Sequence, residues 1–487
     1  MSAAVLDRLA TGTAAEAPLR PEQIGGLFAI DDLLELSHAA SPDVAIRADA
    51  VRTCIAALFG TLLCVARLRD AQPGSLAEAY GLVGTALPQV VALIERRRLA
   101  EARRQTDALR VRLRDHVGLA EGTVGDASAR LIALDRLLDV IANYSTAVSA
   151  LAALHGGIVQ SPRAFRYHRD WRGAVENRLR SLLAIPLAGA FGIAAGWSDW
   201  SLLLLILAPY TVLLALTRNP AAGAVAFIKG TIVAVPLAFV CAFGLLPGVQ
   251  GFPPLVAILA TFWMAGLYAT TIPRHAPAGL TYLVAFKTLV GVVNPMVFSV
   301  PAFLNQAFGW IAAVLVTLLV FRVILPPDPH RQARRIEAAL RRDVLAAVRS
   351  GFRAERSVWE HLQHHSLVRI ALGLKADPGA ATPMLADGIA GLQLGRAALR
   401  VRDAAGRPNA SQALREATLA ALAGAARPSP QAAHTLTRAA ADIAAQPVDE
   451  PPERAVAQRI VAGLADMASL VGAQADWLAG RLRYRSR

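Results

Sequence analysis

The sequence predicts an all-α, polytopic membrane protein with one six-helix transmembrane block between two helical cytosolic flanks. The first observation is charge: between residues 181 and 325 there is one acidic residue, Asp199, and only five basic ones. A helix of a soluble protein needs a polar face, whereas a membrane-spanning helix needs about 20 mostly apolar residues. The second observation is that basic connections alternate with uncharged ones. The third is that the flanks repeat apolar residues at helical spacing.

Turn residues divide the apolar block into six expected spans. Gly196-Trp197-Ser198-Asp199 reads as a tight turn between the first two spans, and Asn219-Pro220 begins the third. Proline inside several of them is tolerated because neighbouring helices satisfy the freed carbonyl groups. The spans are expected at about 181–195, 200–216, 221–245, 254–271, 277–293 and 303–325.

The basic residues predict the orientation of these spans. Arginines cluster before the first span, at Arg218 in the second connection, at Arg274 in the fourth, and after the sixth. The other three connections, 196–199, 247–253 and 294–302, contain no Lys or Arg. Cytoplasmic loops carry an excess of Lys and Arg. Both termini are therefore expected in the cytosol.

The flanks are expected to be helical cytosolic domains at 1–160 and 331–487, with the block at 161–330. Leu131, Leu134 and Leu138 illustrate the helical spacing of the first flank. The net charge of +14 points to anionic lipid headgroups rather than nucleic acid, because the arginines lie beside the expected membrane block. The three cysteines form no metal or disulfide pattern. We find no set of nucleophile, base and orienting group, and expect neither a cofactor nor an enzyme.

Two lysines inside the spans are the main candidate site residues. Only three of the 50 basic residues are Lys, and two of these, Lys229 and Lys287, lie within spans. Each is expected roughly 15 Å from the cytosolic end, near the middle of the bilayer. An intramembrane charge commonly marks a transport pathway, so the pair is predicted to bind a small organic anion. The alternative is that each lysine extends to the interface or pairs with carbonyls at a helix end.

Other polar residues have a functional and a structural interpretation. Asp199 is a candidate proton relay or part of an ordinary interfacial turn. Arg218 is a substrate contact or a topology anchor, and His275 a titrating group at the inner mouth or part of a solvated loop. The spacing of His361, His364 and His365 suits a metal or a wet helix face. Several aromatic residues could stack on a substrate or simply pack: Phe227, Trp263, Tyr268, Tyr282, Phe286, Phe298 and Trp310.

Short motifs around the block carry a resemblance to a known family. They are His168-Arg169-Asp170-Trp171 with Arg178 before the first span, Gly196-Trp197, Asn219-Pro220, and Gly230 in the third span. In their order and spacing, residues 160–350 resemble the fusaric acid resistance and aromatic acid exporter family of bacterial inner-membrane proteins. The resemblance implies efflux of aromatic carboxylic acids driven by the proton gradient. An organic-anion channel and a non-transporting membrane scaffold remain alternatives.

The resemblance also implies a partner. Family members usually carry two six-helix blocks, each followed by a helical cytosolic domain, and this sequence resembles the second. The chain is then expected to be a half-transporter that pairs with another block, or a truncated reading frame. We expect two copies to associate through helix faces that carry Gly223, Gly230 and Gly291, because small residues let membrane helices approach closely.

Overall fold

A computed structural model describes most of the chain and divides it into two compact units. The helical unit comprises residues 1–168 and 329–487, and the membrane block comprises residues 169–328. The structure describes residues 42–65, 77–117, 124–156, 171–197, 200–215, 217, 219–272, 274–293, 297–351, 356–427, 429, 431–446, 448 and 450–481. Every regular element in these ranges is a helix, which confirms the all-α fold class.

The helices are numbered in chain order. The helical unit begins with α1 (Pro42–Val65), α2 (Ala77–Glu95), α3 (Leu99–Val117) and α4 (Val124–Gly156). The membrane block contains α5 (Trp171–Ala194), α6 (Trp200–Ala215), α7 (Pro220–Phe239), α8 (Phe252–Thr271), α9 (Ala276–Val290) and α10 (Val300–Val323). The helical unit resumes with α11 (Pro329–Ser350), α12 (Arg356–Gly373), α13 (Pro378–Ala405), α14 (Gln412–Ala425), α15 (Ala432–Ala444), α16 (Pro451–Ala473) and α17 (Ala475–Leu478).

Each of the six expected spans corresponds to one helix of the membrane block. The helix α5 begins at Trp171, ahead of the expected start at 181, and α9 ends at Val290, before the expected end at 293. The helix α7 continues as a π-helical turn, Val240–Leu245, and a 3₁₀ turn, Leu246–Gly248. Five helices in the described ranges are long and apolar enough to cross a membrane, and three of them, those containing α7, α8 and α10, lie in this block.

The turn residues read from the sequence have identifiable roles. The Asn219 side chain caps α7 by accepting a hydrogen bond from the backbone N–H of Ala222 at 3.1 Å. Pro220 follows as the first helical residue, where its fixed φ suits a helix start. Gly196 has φ of +61°, a left-handed conformation that favours glycine. After this turn, the Trp197 indole N–H donates to Oδ1 of Asn305 in α10 at 2.9 Å.

Glycines let α7 pack closely within its own block. A Cβ at Gly230 would lie 2.2 Å from the carbonyl oxygen of Ala278 in α9, and one at Gly223 would lie 2.6 Å from Leu214. Gly291 ends α9 with φ of +51°. The expectation that Gly230 faces a second copy is therefore wrong, because α9 of the same chain already occupies this position. For the half-buried Gly223 and the exposed Gly291 it stays a prediction.

A buried arginine joins the beginning of the block to its end. Arg180 of α5 is only 3% exposed. Its Nε donates to the carbonyl oxygens of Ile324 at 3.1 Å and Leu325 at 2.9 Å. These carbonyls lie at the end of α10, where the last carbonyl groups of a helix have no partner within it. Arg180 therefore ties α5 to α10 at the C-terminal end of α10.

The two flanks belong to one compact unit instead of the two domains expected from the sequence. Partly buried ion pairs link α4 of the first flank to α12, α13 and α16 of the second. Asp139 accepts from Arg356 at 2.9 Å and from Arg400 at 2.6 Å, while Arg136 donates to Asp466 at 2.8 Å. The helices α4 and α16 are apolar enough to span a membrane. Because each also carries charged residues that form these ion pairs, both fit the core of the helical unit. The cytosolic location of this unit stays a prediction.

Candidate functional site

Lys229 lies halfway along α7 with its side chain exposed on the outside of the membrane block. Its helix is otherwise formed from apolar and small residues. Within the described part of the chain, Lys229 has no acidic partner. A cation at this place is costly in a bilayer unless a ligand, water or another protein surface covers it.

Lys287 is also exposed, but it lies in the last turn of α9. Two short connections reverse the chain between α7 and α9, so these two helices run in the same direction. Gly230 of α7 packs against Ala278 and Tyr282 of α9. Lys287 therefore lies roughly 12 Å farther along the bundle than Lys229, at 1.5 Å per residue. The equal depth expected from the sequence is not found.

The position of Lys287 suits a structural role at a helix end. The backbone N–H of Gly291 closes α9 by donating to the carbonyl of Lys287 at 3.2 Å. Cations near the last turn interact favourably with the helix dipole and the free carbonyl groups. This agrees with the structural alternative given above for a spanning lysine. The assignment of both lysines to a substrate site stays a prediction.

The remaining three candidates are partly described. Asp199 and Arg218 lie outside the described residues, so their predicted roles stay untested. His275 is exposed and precedes the first residue of α9. Its carbonyl oxygen accepts from the backbone N–H of Gly279 at 2.8 Å. The side chain makes no capping hydrogen bond, which leaves the imidazole open to solvent or ligand.

Aromatic side chains fill the interior of the block around Tyr210, which sequence reasoning did not single out. Tyr210 of α6 packs edge-on against Phe227 of α7, with ring centroids 4.7 Å apart, and against Trp310 of α10 at 6.4 Å. The buried Tyr210 hydroxyl lies beside the Trp310 indole N–H and the Thr281 side chain, which are its polar neighbours. The only feature of the sequence that could have pointed to this interior residue is a tyrosine after Pro209 in an otherwise apolar span.

Other aromatic residues divide between the interior and the outer surface. Phe286 is fully buried and stacks on Phe262 at 5.2 Å. Trp263, Tyr268 and Phe298 are 40%, 69% and 45% exposed. The interior aromatic residues are therefore packing residues in this conformation, and the exposed ones face whatever surrounds the block.

The outer surface of the block is broadly apolar. In α8, Gly266 is the only buried residue, whereas Phe252 and Met264 are more than 60% exposed. A surface of this composition suits lipid chains or another membrane helix. Because Lys229 points to the same exterior, an anion bound to it would lie against the outside of this block.

The histidine cluster in the helical unit is a packing feature. His364 is 1% exposed, and its ring meets Phe59 of α1 edge-on at 5.8 Å. Burial lowers the pKa of His364 to about 3, so the ring is neutral at physiological pH. The expectation of a wet helix face is wrong for His364. Among the residues that the structure describes, no group of three metal-ligating side chains occurs.

Comparison with known proteins gives a family match over nearly the whole chain. A sequence model of the "Fusaric acid resistance protein family" matches residues 2–478. A protein of Yersinia pestis (strain Pestoides F), named "p-hydroxybenzoic acid efflux pump subunit AaeB", is 28% identical over 175 residues. A protein of the same name from Yersinia pseudotuberculosis serotype O:1b (strain IP 31758) matches equally well. The aligned stretch covers 36% of this chain and 26% of either relative. No solved structure matches the chain.

Proposed function

The chain belongs to the fusaric acid resistance protein family, and on that premise we propose that it exports small aromatic carboxylic acids across the bacterial inner membrane. The observation that carries the proposal is the family match together with an exposed cation, Lys229, in an otherwise apolar membrane block. The curated relatives are named as pump subunits for an aromatic acid, p-hydroxybenzoic acid. A benzoate-like anion combines a charge that a lysine can bind with a ring that suits apolar surroundings.

Lys229 is proposed to bind the substrate carboxylate at a surface between this block and a second six-helix block. The interior of this block is filled by buried side chains such as Phe227, Trp310 and Phe286. A pathway along the outer face of α7 avoids that interior, but it needs a second wall to exclude lipid. A second copy of this chain or a related block would supply the wall, which agrees with the word "subunit" in the relatives' name.

The proton gradient is the proposed energy source. Asp199 is the single carboxylate between residues 181 and 325, at a connection predicted to face the periplasm. It is therefore the candidate to exchange protons with that side. In inverted vesicles, uptake of p-hydroxybenzoate should require an imposed pH gradient, and Asp199→Asn should reduce that dependence. Uptake that ignores the gradient would contradict the coupling but leave export itself intact.

The substrate site is tested by comparing the two lysines in cells that lack other exporters of aromatic acids. A charge-assisted hydrogen bond contributes about 1.5–3 kcal/mol, so Lys229→Met should reduce export of p-hydroxybenzoate roughly ten- to a hundredfold. Lys287→Met removes the same charge from the end of a helix. A smaller loss than that of Lys229→Met would favour Lys229 alone as the carboxylate partner, and an equal loss would favour the predicted pair. Lys229→Arg should restore export only in part, since a guanidinium places its charge differently.

Membrane levels of each variant, measured by blot, separate lost function from lost protein. Removing an intramembrane charge eases insertion, so Lys229→Met should accumulate at least as well as the parent. If Lys229→Met cells keep full resistance to every acid that the parent exports, the site lies elsewhere. If the parent itself moves no aromatic acid although it is folded and inserted, the export function is refuted and a scaffold becomes the better explanation.

A further inference from the structure

An exposed apolar stripe runs along the first half of α5. It consists of Trp171, Val175, Leu179 and Leu182, each of which is at least 40% exposed. They follow one another at spacings of three and four residues, which places them on one face of the helix. Arg180 comes about two and a half turns after Trp171, and it is buried and bonds to the end of α10. The stripe therefore lies on the side of α5 that faces away from α10.

Two exposed arginines, Arg172 and Arg178, flank this stripe. At about 100° per residue they lie on opposite sides of it. Within the described ranges, no ion pair joins either of them to an acid. Glu176, the acid on this part of α5, interacts electrostatically with Arg180. Two guanidinium charges are thus available beside an exposed apolar surface.

The length of α5 places this surface at an edge of the bilayer. Its 24 residues measure roughly 36 Å, whereas the hydrocarbon core is about 30 Å thick. With the Gly196 turn at one edge of the core, Trp171 and Arg172 lie beyond the other edge, among the headgroups. Arg178 lies just inside that edge. Because side chains of a helix lean toward its N-terminus and arginine is long, the Arg178 guanidinium reaches the headgroup layer as well.

We propose that this surface of α5 binds anionic phospholipids, with Arg172 and Arg178 paired to the headgroups and the apolar stripe against the acyl chains. Arginine forms bidentate hydrogen bonds with phosphate, and tryptophan is enriched at the headgroup level. In a zwitterionic lipid the headgroup's own cation balances the phosphate, so two unpaired arginines favour a lipid with net negative charge. Each arginine should contribute a factor of about five. The pair therefore predicts a preference of roughly twentyfold for anionic over zwitterionic lipid.

The test is the tryptophan fluorescence of the full chain in nanodiscs of phosphatidylcholine that contain a small fraction of one brominated lipid. Bromine quenches only a tryptophan that it contacts, and subtracting the signal of Trp171→Phe isolates Trp171. We expect brominated phosphatidylglycerol to quench Trp171 at a mole fraction roughly twentyfold lower than brominated phosphatidylcholine. High salt should reduce this preference, because it screens the charges. Equal quenching by the two lipids would overturn the proposal. So would an absence of quenching by both, which would show that a protein surface such as a second copy covers the stripe.

The informative variant combines Arg172→Gln with Arg178→Gln. It should lose the preference for phosphatidylglycerol but keep the quenching by brominated phosphatidylcholine, because the stripe is unchanged. The matched control combines Arg104→Gln with Arg114→Gln, which removes two exposed arginines from α3 of the helical unit and should keep the preference. An unchanged preference in the α5 variant, or an equal loss in the control, would contradict the assignment. If the α5 variant does not insert, Arg172→Gln alone should lower the preference about fivefold, and no change there would be equally decisive.

Discussion

Replacing Gly230 by alanine should loosen the membrane block, because the added methyl group has no space. Its Cβ would lie 2.2 Å from the carbonyl oxygen of Ala278, and 3.1 Å from the carbonyl carbon of Ala278 and the backbone nitrogen of Tyr282. These are backbone atoms, so no side-chain rotation relieves the clash. An ordinary C···O contact is about 3.3 Å or longer, so α7 and α9 must separate by about 1 Å at this level.

The size of the effect follows from two opposing terms. Overpacking a well-packed core costs about 1–3 kcal/mol, and a clash with backbone belongs at the upper end of that range. Alanine inside a helix regains about 0.5–1 kcal/mol relative to glycine. The net loss is then about 2 kcal/mol, which corresponds to a fall in Tm of roughly 4–8 °C for a unit of this size.

Gly244→Ala is the matched control for this measurement. Gly244 lies in the π-helical continuation of the same span, and a Cβ there meets nothing within 4 Å. The Tm of detergent-solubilised protein, followed by intrinsic tryptophan fluorescence, should fall for Gly230→Ala. It should not fall for Gly244→Ala, which adds at most about 1 kcal/mol of stability, equivalent to a rise of at most about 4 °C. Equal Tm values for Gly230→Ala and the parent would refute the close approach of α7 and α9.

Three further predictions concern other parts of the chain. Arg180→Met should lower Tm, because it removes a buried guanidinium that donates hydrogen bonds to the carbonyls of Ile324 and Leu325. Such a bond contributes about 1.5–3 kcal/mol. Arg178 is exposed, so Arg178→Met removes the same charge and should leave Tm unchanged. Acid should destabilise the helical unit as the pH falls below about 6.5. Burial lowers the folded-state pKa of His364 from 6.5 to about 3, so between these pH values only the unfolded chain binds a proton at this imidazole. The expected loss is roughly 1.4 kcal/mol per pH unit, measured as Tm against pH, and His364→Gln should remove the slope between pH 6.5 and 4.5. A reporter fused after Arg487 should be active in the cytosol, and periplasmic activity would overturn the predicted orientation.

The sequence by itself determined the all-α class of this membrane protein and the approximate places of the six helices of the membrane block. Charge depletion between residues 181 and 325 is a property of composition, so it predicts spans without any knowledge of packing. The start of α7 at Pro220 and the turn at Gly196 were also predictable, because helix capping and a left-handed φ depend on local residues. Motif order pointed to the family, and the match over residues 2–478 confirmed it.

Only the tertiary structure decided what each residue faces. Gly230 was assigned to a second copy because small residues mark close approaches, but the sequence cannot tell which helix approaches; the structure assigns it to α9 of the same chain. By residue count, Lys229 and Lys287 lie at similar positions in their expected spans. In the structure, α7 and α9 are offset along the bundle and α9 ends at Val290, so the two lysines lie at different levels. Likewise, Asp139 contacts Arg356 and Arg400, which are more than 200 residues away in the sequence. The periodicity along one helix does not specify which helices pack together, so only the tertiary structure reveals these ion pairs.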